Sequence, residues 1–432
     1  MSIVIYYLCL KIKKMERCKL RKKISALLLT LTLCFTTTSQ VFASETKLPN
    51  LKGRAAISYD LDTKEVIYTR NIDQKVYPAS ITKMLTALVF AEKKTKTDNL
   101  KYTDSAFKQP PFSYRLNVHP VKVGDEISAE NAMDALLLFS GNDIAYMIAD
   151  NVGRGQKGFE KLMNDKAKEL KMTNSHFITP NGLDDNTNDH YTTAYDLTKL
   201  AEASYNNAWV LESMSKKQSE VNFQNGNKAL LDNRNKLVGK NGCIAGKTGY
   251  TNKAGRCLVA LYERNGRHMV GVVMNSEYNY PKDTIVFEDM EKLMDYSYNV
   301  KKDVLVKNNS SVTSLKIPYK VLPIIGPTKT LEVPVDVKKD VTYYKNDLKP
   351  EKEYKLNNVS AWKLSQDKAI GKLIVTQKDS KQEYELYSKV SKTQILKDNI
   401  LIYTGILVVL ILIILGIVLL VNTIKKHSKK FY

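Results

Sequence analysis

The order of apolar patterns along residues 48–300 predicts an α+β domain in which one antiparallel sheet is covered by helices. Three observations predict it. A strand–turn–strand pattern opens the segment, helical periodicity fills its middle, and three strand patterns with a final helix close it. A small all-β domain over 301–392 and one transmembrane helix over 400–421 are predicted to follow.

In chain order, Ala55–Asp60 and Glu65–Thr69 alternate apolar and polar residues around Asp62-Thr63-Lys64, a hairpin signature. Ile81–Lys93 has a helical period, with Ser80 at its start and Pro78 just before. Residues 129–172 read as further helices, broken at Ser140-Gly141-Asn142 and again near Gly153–Gly158. Thr193–Ala203 is a helix opened by a Thr193-x-x-Asp196 capping box. Strands follow around 243–249, 255–263 and 267–275, the last two joined by Asn265-Gly266, a type I′ hairpin signal. A helix from about 283 to 298 closes the unit. From Lys301 to about Lys392 only short β-like runs appear, such as Ser314–Tyr319, Thr330–Val337 and Lys372–Thr376, and we read this part as a stalk or platform.

The chain has 432 residues, 43% hydrophobic and 26% charged, an ordinary globular composition. Its net charge is +21, and the ends inflate it. Residues 1–43 carry eight Lys or Arg against one Glu, and four lysines follow Val421, leaving the part between at about +10. That balance suits an anionic wall or membrane surface. Nucleic acid is excluded as a partner by the targeting signals. Lys19, Arg21, Lys22 and Lys23 precede an apolar run to Phe35 and a small-residue site at Val41-Phe42-Ala43, which reads as a signal peptide over 1–43. At the other end, Ile400–Val421 is uncharged, and Lys425, Lys426, Lys429 and Lys430 put the 422–432 tail in the cytoplasm. The bulk of the chain is therefore expected outside the cell, with its soluble part ending near Lys392.

Outside the signal there are two cysteines, Cys243 and Cys257, placed symmetrically about Tyr250. They are read as a cross-strand disulfide or, preferred, as two packed free thiols. The histidines at 119, 176, 190, 268 and 427 are scattered without helical pairing, so no metal and no cofactor is implied.

A serine hydroxyl attacks poorly unless a neighbouring base takes its proton. In Ser80-Ile81-Thr82-Lys83 a lysine lies one helical turn from a serine, on the same face. A lysine serves as that base only when burial or another cation lowers its pKa. The spacing alone decides nothing, because Ser-x-x-Lys also occurs at Ser44, Ser105, Ser213, Ser360 and Ser365. Ser-x-Asn occurs at Ser140, Ser204 and Ser297, and Lys247-Thr248-Gly249 occurs once. Context separates the set: Ser80 opens a helix after a hairpin, Ser140 sits in a break between helices, and Lys247 lies on a strand.

In that order, Ser80-x-x-Lys83, Ser140-Gly141-Asn142 and Lys247-Thr248-Gly249 resemble the three motifs of the penicillin-recognising serine transpeptidases and β-lactamases. The longer words Tyr77-Pro78-Ala79-Ser80-Ile81-Thr82-Lys83-Met84, Thr179-Pro180-Asn181-Gly182-Leu183-Asp184 and Lys247-Thr248-Gly249-Tyr250-Thr251 are similar to the low-molecular-weight penicillin-binding proteins of the D-alanyl-D-alanine carboxypeptidase branch. The resemblance covers about 48–300 and implies a penicillin-binding, β-lactamase-like catalytic domain. It implies that Ser80 forms an acyl-enzyme with a peptidoglycan stem peptide ending in D-Ala-D-Ala, with Lys83 as general base. Ser140 would relay a proton to the leaving amine, and Asn142 would hold substrate and Lys83. Lys247 and Thr248 would take the terminal carboxylate, Gly249 would leave room along the strand, and the N–H groups of Ser80 and Tyr250 would form the oxyanion hole. β-Lactams would be covalent inhibitors.

Asp196, His190 and Tyr191 are read as a helix cap and its lead-in, and Asp184 as turn chemistry. A β-lactamase would need a Glu-x-x-Leu-Asn loop between the second and third motifs, and Glu353-x-x-Leu356-Asn357 falls after both. A transpeptidase or endopeptidase shares the acyl-enzyme and differs only in acceptor. A penicillin sensor would need a signalling module larger than Asn422–Tyr432, and a wall-binding protein would not need the full catalytic set.

Overall fold

The computed structural model describes residues 47–110, 121–184 and 187–428, so the signal-peptide reading lies outside the described residues. The first sheet has five antiparallel strands: β1 (Ala55–Asp60), β2 (Val66–Arg70), β3 (Cys243–Thr251), β4 (Gly255–Arg264) and β5 (Arg267–Ser276), in the order β2-β1-β5-β4-β3. The first and last segments of this domain therefore meet near the middle of the sheet, where β1 pairs with β5 along Ala55–Asp60. Between β2 and β3 run α1 (Thr82–Lys93), α2 (Asn142–Gly153), α3 (Gln156–Glu169), α4 (Ala194–Asn206) and α5 (Ala208–Ser215), and after β5 comes α6 (Ile285–Asn299).

Both faces of this sheet are covered, and the residue alternation says by what. On β4, Cys257, Val259 and Leu261 join the core shared with the helices between β2 and β3. Their neighbours Leu258, Ala260 and Tyr262 pack with Met290, Leu293 and Met294 of α6. With both faces apolar, a strand reads as a continuous hydrophobic run rather than a clean alternation. The predicted hairpin at Asn265-Gly266 forms, with both residues at positive φ, 54° and 71°. Helix α5 and a hairpin of Gln218–Asn222 with Lys228–Asp232 were not predicted from the sequence.

Cys243 and Cys257 are both buried and free. The β3–β4 turn closes at Thr251 and Gly255, so Cys243 faces Tyr262 and Cys257 faces Gly249. The apparent symmetry about Tyr250 is off by the length of the turn, and the disulfide is excluded by register. Burial pushes the thiols up to about 11 and about 12, which keeps both protonated.

A second five-stranded antiparallel sheet follows: β6 (Ser311–Lys320), β7 (Thr328–Asp336), β8 (Glu351–Leu356), β9 (Ala369–Gln377) and β10 (Ser380–Ser388), in the order β6-β7-β10-β9-β8. It has its own core of Val333, Val335, Leu373, Leu386 and others. Polar bridges tie the segments around this sheet to β2 and the residues flanking it: Lys302 Nζ to Glu65 Oε2 at 2.6 Å, Lys378 Nζ to Asp73 at 2.8 Å, and Asn346 Nδ2 to Val66 O at 2.8 Å. After it come α7 (Thr393–Asp398) and α8 (Ile400–Ser428). Helix α8 is long and apolar enough to cross a membrane. Ile395 of α7 is fully buried in the second core, so the folded part extends past Lys392.

Candidate functional site

The site is built where α1 begins. Ser80 does not cap that helix directly; it sits in a tight turn, Ala79–Ile81, that feeds into α1 at Thr82. Residues Thr82–Phe90 of α1 are all buried, so Lys83 is carried into the core by the central helix of the domain. Its side chain is fully buried, with Nζ 2.9 Å from Ser80 Oγ, 2.7 Å from Asn142 Oδ1 and 2.9 Å from Asn181 O.

This geometry has a direct chemical consequence. The Asn142 side-chain oxygen and the Asn181 carbonyl can only accept hydrogen bonds. In the neutral amine both N–H bonds are taken by these two oxygens, so the lone pair is left facing the Ser80 hydroxyl. Burial pushes the Lys83 ammonium down to about 7, with the nearby Asp143 carboxylate opposing the shift. A substantial neutral fraction therefore exists at neutral pH, and the amine can take the Ser80 proton.

The second motif comes from the break before α2. Ser140 adopts a left-handed conformation, φ 69°, and Asn142 is the first residue of α2. Ser140 Oγ is buried and has no hydrogen-bond partner among the described residues. The third motif lies on β3, at the sheet edge. A Cβ on Gly249 would stand 3.0 Å from both Pro78 O and Ser80 N, so β3 runs directly beside the Ser80 turn because residue 249 has no side chain. Lys247 and Thr248 are buried there, and Lys247 Nζ donates to Thr248 O at 3.2 Å. Burial holds Lys247 well below the usual lysine range, with the positive charges of Lys83, Arg256 and Arg234 adding to it. Tyr250 is 39% exposed, its ring against Tyr278 with centroids 4.6 Å apart.

The segment 179–184 does more than turn the chain. Gly182, at φ +86°, lies so close to the Ser80 turn that a Cβ would fall 1.8 Å from Ala79 O and 2.8 Å from Thr82 Oγ1. Thr86 Oγ1 donates to Pro180 O at 2.7 Å. Asp184, expected to be turn chemistry alone, is buried and accepts from Thr251 Oγ1 at 2.8 Å, joining the segment to the end of β3. His190, expected as a helix lead-in, is fully buried. Its Nδ1 accepts from the Ile178 N–H at 3.1 Å, which leaves Nε2–H to donate to Thr82 Oγ1 at 2.9 Å. Thr193 Oγ1 caps α4 through the Asp196 N–H as expected. One of the other Ser-x-x-Lys pairs is purely structural, since Ser213 and Lys216 both bind the Asp134 carboxylate. The Glu353–Asn357 word falls on β8 and its end, in the second sheet.

The family D-alanyl-D-alanine carboxypeptidase, peptidase S11, matches residues 41–278, more than half of the chain. The chain belongs to this family of serine peptidases. It is 26% identical to the D-alanyl-D-alanine carboxypeptidase DacF of Bacillus subtilis (strain 168), over 72% of this chain and 78% of that one. Among solved structures, it is similar to a D-alanyl-D-alanine carboxypeptidase from Mycobacterium tuberculosis H37Rv, with a TM-score of 0.55 and 28% identity over 60% of this chain and 96% of that one. It is also similar to penicillin-binding protein D2 of Listeria monocytogenes in its ampicillin-bound form, with a TM-score of 0.51 and 27% identity over 58% of this chain and all of that one. The fold expected from the sequence, a penicillin-binding catalytic domain with a following β-rich part, is the fold found.

Proposed function

We propose that the chain removes the terminal D-alanine from peptidoglycan stem peptides through an ester on Ser80, with Lys83 as the base. The single observation that carries this reading is the buried Lys83 Nζ, 2.9 Å from Ser80 Oγ with its other contacts limited to oxygen acceptors. In this reading Ser80 Oγ attacks the carbonyl carbon of the penultimate D-alanine while Lys83 takes its proton. The C–N bond to the last D-alanine breaks, and its nitrogen leaves as an amine after taking a proton by way of Ser140. Water then cleaves the ester and regenerates the serine.

The other roles follow from chemistry at the same place. Ser140 Oγ, without a partner among the described residues, suits a hydroxyl whose hydrogen-bond partner arrives with the substrate. Lys247, crowded by other cations, favours an incoming carboxylate that restores its charge; with Thr248 it would select peptides with a free C-terminus. Close approach of Gly249 to the Ser80 amide supports an oxyanion hole from the N–H groups of Ser80 and Tyr250. Asn142 fixes Lys83 and offers its amide to substrate. β-Lactams, which mimic the same acyl donor, are the covalent inhibitors of this reading.

The division into a catalytic domain over 48–300 and a β domain over 301–392 is part of the proposal, with the folded boundary moved past Ile395. So is the topology: residues 400–421 cross the membrane, the basic tail 422–432 lies in the cytoplasm, and the site faces the wall. Trapping with a labelled penicillin followed by peptide mapping tests the nucleophile. An adduct on the Ser80 peptide supports it, and an adduct on any other residue overturns it.

A further inference from the structure

The loop between β6 and β7 is unlike the surface around it. Val321–Pro327 reads Val-Leu-Pro-Ile-Ile-Gly-Pro. It is closed at its base by Val321 N–H to Pro327 O at 3.2 Å and at its tip by Leu322 N–H to Ile325 O at 3.1 Å. Ile324 is 81% exposed and Ile325 65% exposed. Single exposed apolar residues are ordinary, but two adjacent isoleucines on a hairpin tip present apolar area that none of the described residues covers.

What lies beside the loop identifies its partner. The Tyr403 hydroxyl, one turn into the apolar helix α8, donates to Val321 O at 2.7 Å. Asn399, just before α8, donates to Tyr319 OH at 2.8 Å and accepts from Lys329 Nζ at 2.8 Å. Lys320 Nζ donates to Ile324 O at 3.2 Å, and the Trp362 indole N–H donates to Lys320 O at 2.9 Å. The base of the loop is thus fastened to the level at which α8 starts, among Lys, Trp and Tyr, the residue types that settle at a membrane–water interface.

We propose that loop 321–327 is a second membrane contact, with Ile324 and Ile325 entering the acyl-chain boundary of the anionic bilayer that α8 crosses. The inference rests on reading 400–421 as a membrane span. It makes attachment two-point. A single helix leaves the β-rich part free to tilt, whereas a helix plus a loop fixes that part, and with it the first sheet bound through Lys302–Glu65 and Lys378–Asp73.

The test uses the full chain in vesicles of phosphatidylglycerol, with either plain or brominated acyl chains. The natural tryptophans are two, so the signal added by Ile325→Trp is measured against the wild type. The expected result is that brominated lipid quenches the added fluorescence at least twofold. A chain that resists carbonate washing while its added signal is the same in both lipids retains its span but overturns the loop contact. Protection of that signal from aqueous iodide without quenching by brominated lipid also overturns it, pointing to a protein partner. Release of the chain by carbonate overturns the span and the loop contact together.

Discussion

The main-chain carbonyl of Asn181 accepts a hydrogen bond from Lys83 Nζ at 2.9 Å, across 98 residues of sequence. With Asn142 Oδ1 it occupies both hydrogens of the neutral amine, so the geometry of two acceptors decides where the lysine lone pair points. As the proposed base, Lys83 has a predictable pH dependence.

Because burial lowers Lys83 to about 7, its neutral form, the one the proposed mechanism uses, grows as pH rises through that value. The rate of acylation by a β-lactam should therefore fall about tenfold per pH unit below the limb and level off above it. Asn142→Asp places a carboxylate beside the ammonium, favours the charged form and should move the limb to higher pH. Stopped-flow acylation across pH 5–9 checks both, and an unmoved limb in Asn142→Asp would count against Lys83 as the titrating group.

Gly182 tests the clamp on the Ser80 turn. Alanine there combines a positive φ with a contact 1.8 Å from Ala79 O. Left-handed backbone alone costs about 1–2 kcal/mol for a residue with a Cβ. Thermal melting should show at least that loss, and acylation should drop by more than tenfold in whatever protein remains folded. A variant with wild-type acylation would show that the 179–184 segment does not position Ser80.

His190 predicts how acid destabilises the domain. Burial pushes its pKa down to about 3, below the ordinary histidine value of 6.5. Between those values the unfolded chain binds a proton that the folded chain does not, so stability falls as pH drops from about 6.5 toward 3. The slope reaches about 1.4 kcal/mol per pH unit from this group. In His190→Asn that part of the slope should vanish in urea titrations at pH 4–6, and an unchanged slope would place the acid sensitivity elsewhere.

The boundary of the folded part gives a simpler prediction. A chain covering residues 48–399 should be soluble and active, whereas one ending at Lys392 discards α7 and the buried Ile395. Full burial of such a side chain contributes about 1.5–3 kcal/mol. The shorter chain should melt earlier, and equal melting temperatures would contradict the packing of α7.

The three motifs were legible in the sequence because their chemistry depends on side-chain type and order, and Ser80, Lys83, Ser140, Asn142 and Lys247 carry both. The strands of the first sheet were legible too, since Asn265-Gly266 fixes one turn and apolar runs fix the rest. What stayed hidden acts through the backbone or through tertiary burial. The Asn181 carbonyl and the Gly182 conformation have no side-chain signature; only the word Thr179–Asp184 marked the place. His190 and Asp184 looked like cap and turn residues because nothing local says that each is buried against a distant element. The cysteines misled by symmetry, because a turn of unknown length decides which rungs they occupy.

In the proposed reaction Ser80 carries the acyl group during D-alanine release. The direct measurement is D-alanine liberated from a synthetic peptide ending in D-Ala-D-Ala, by the wild-type chain and by Ser80→Ala. Steady release by the wild type and none above background by Ser80→Ala is the expected result. Release by Ser80→Ala at the wild-type rate would contradict that role for Ser80.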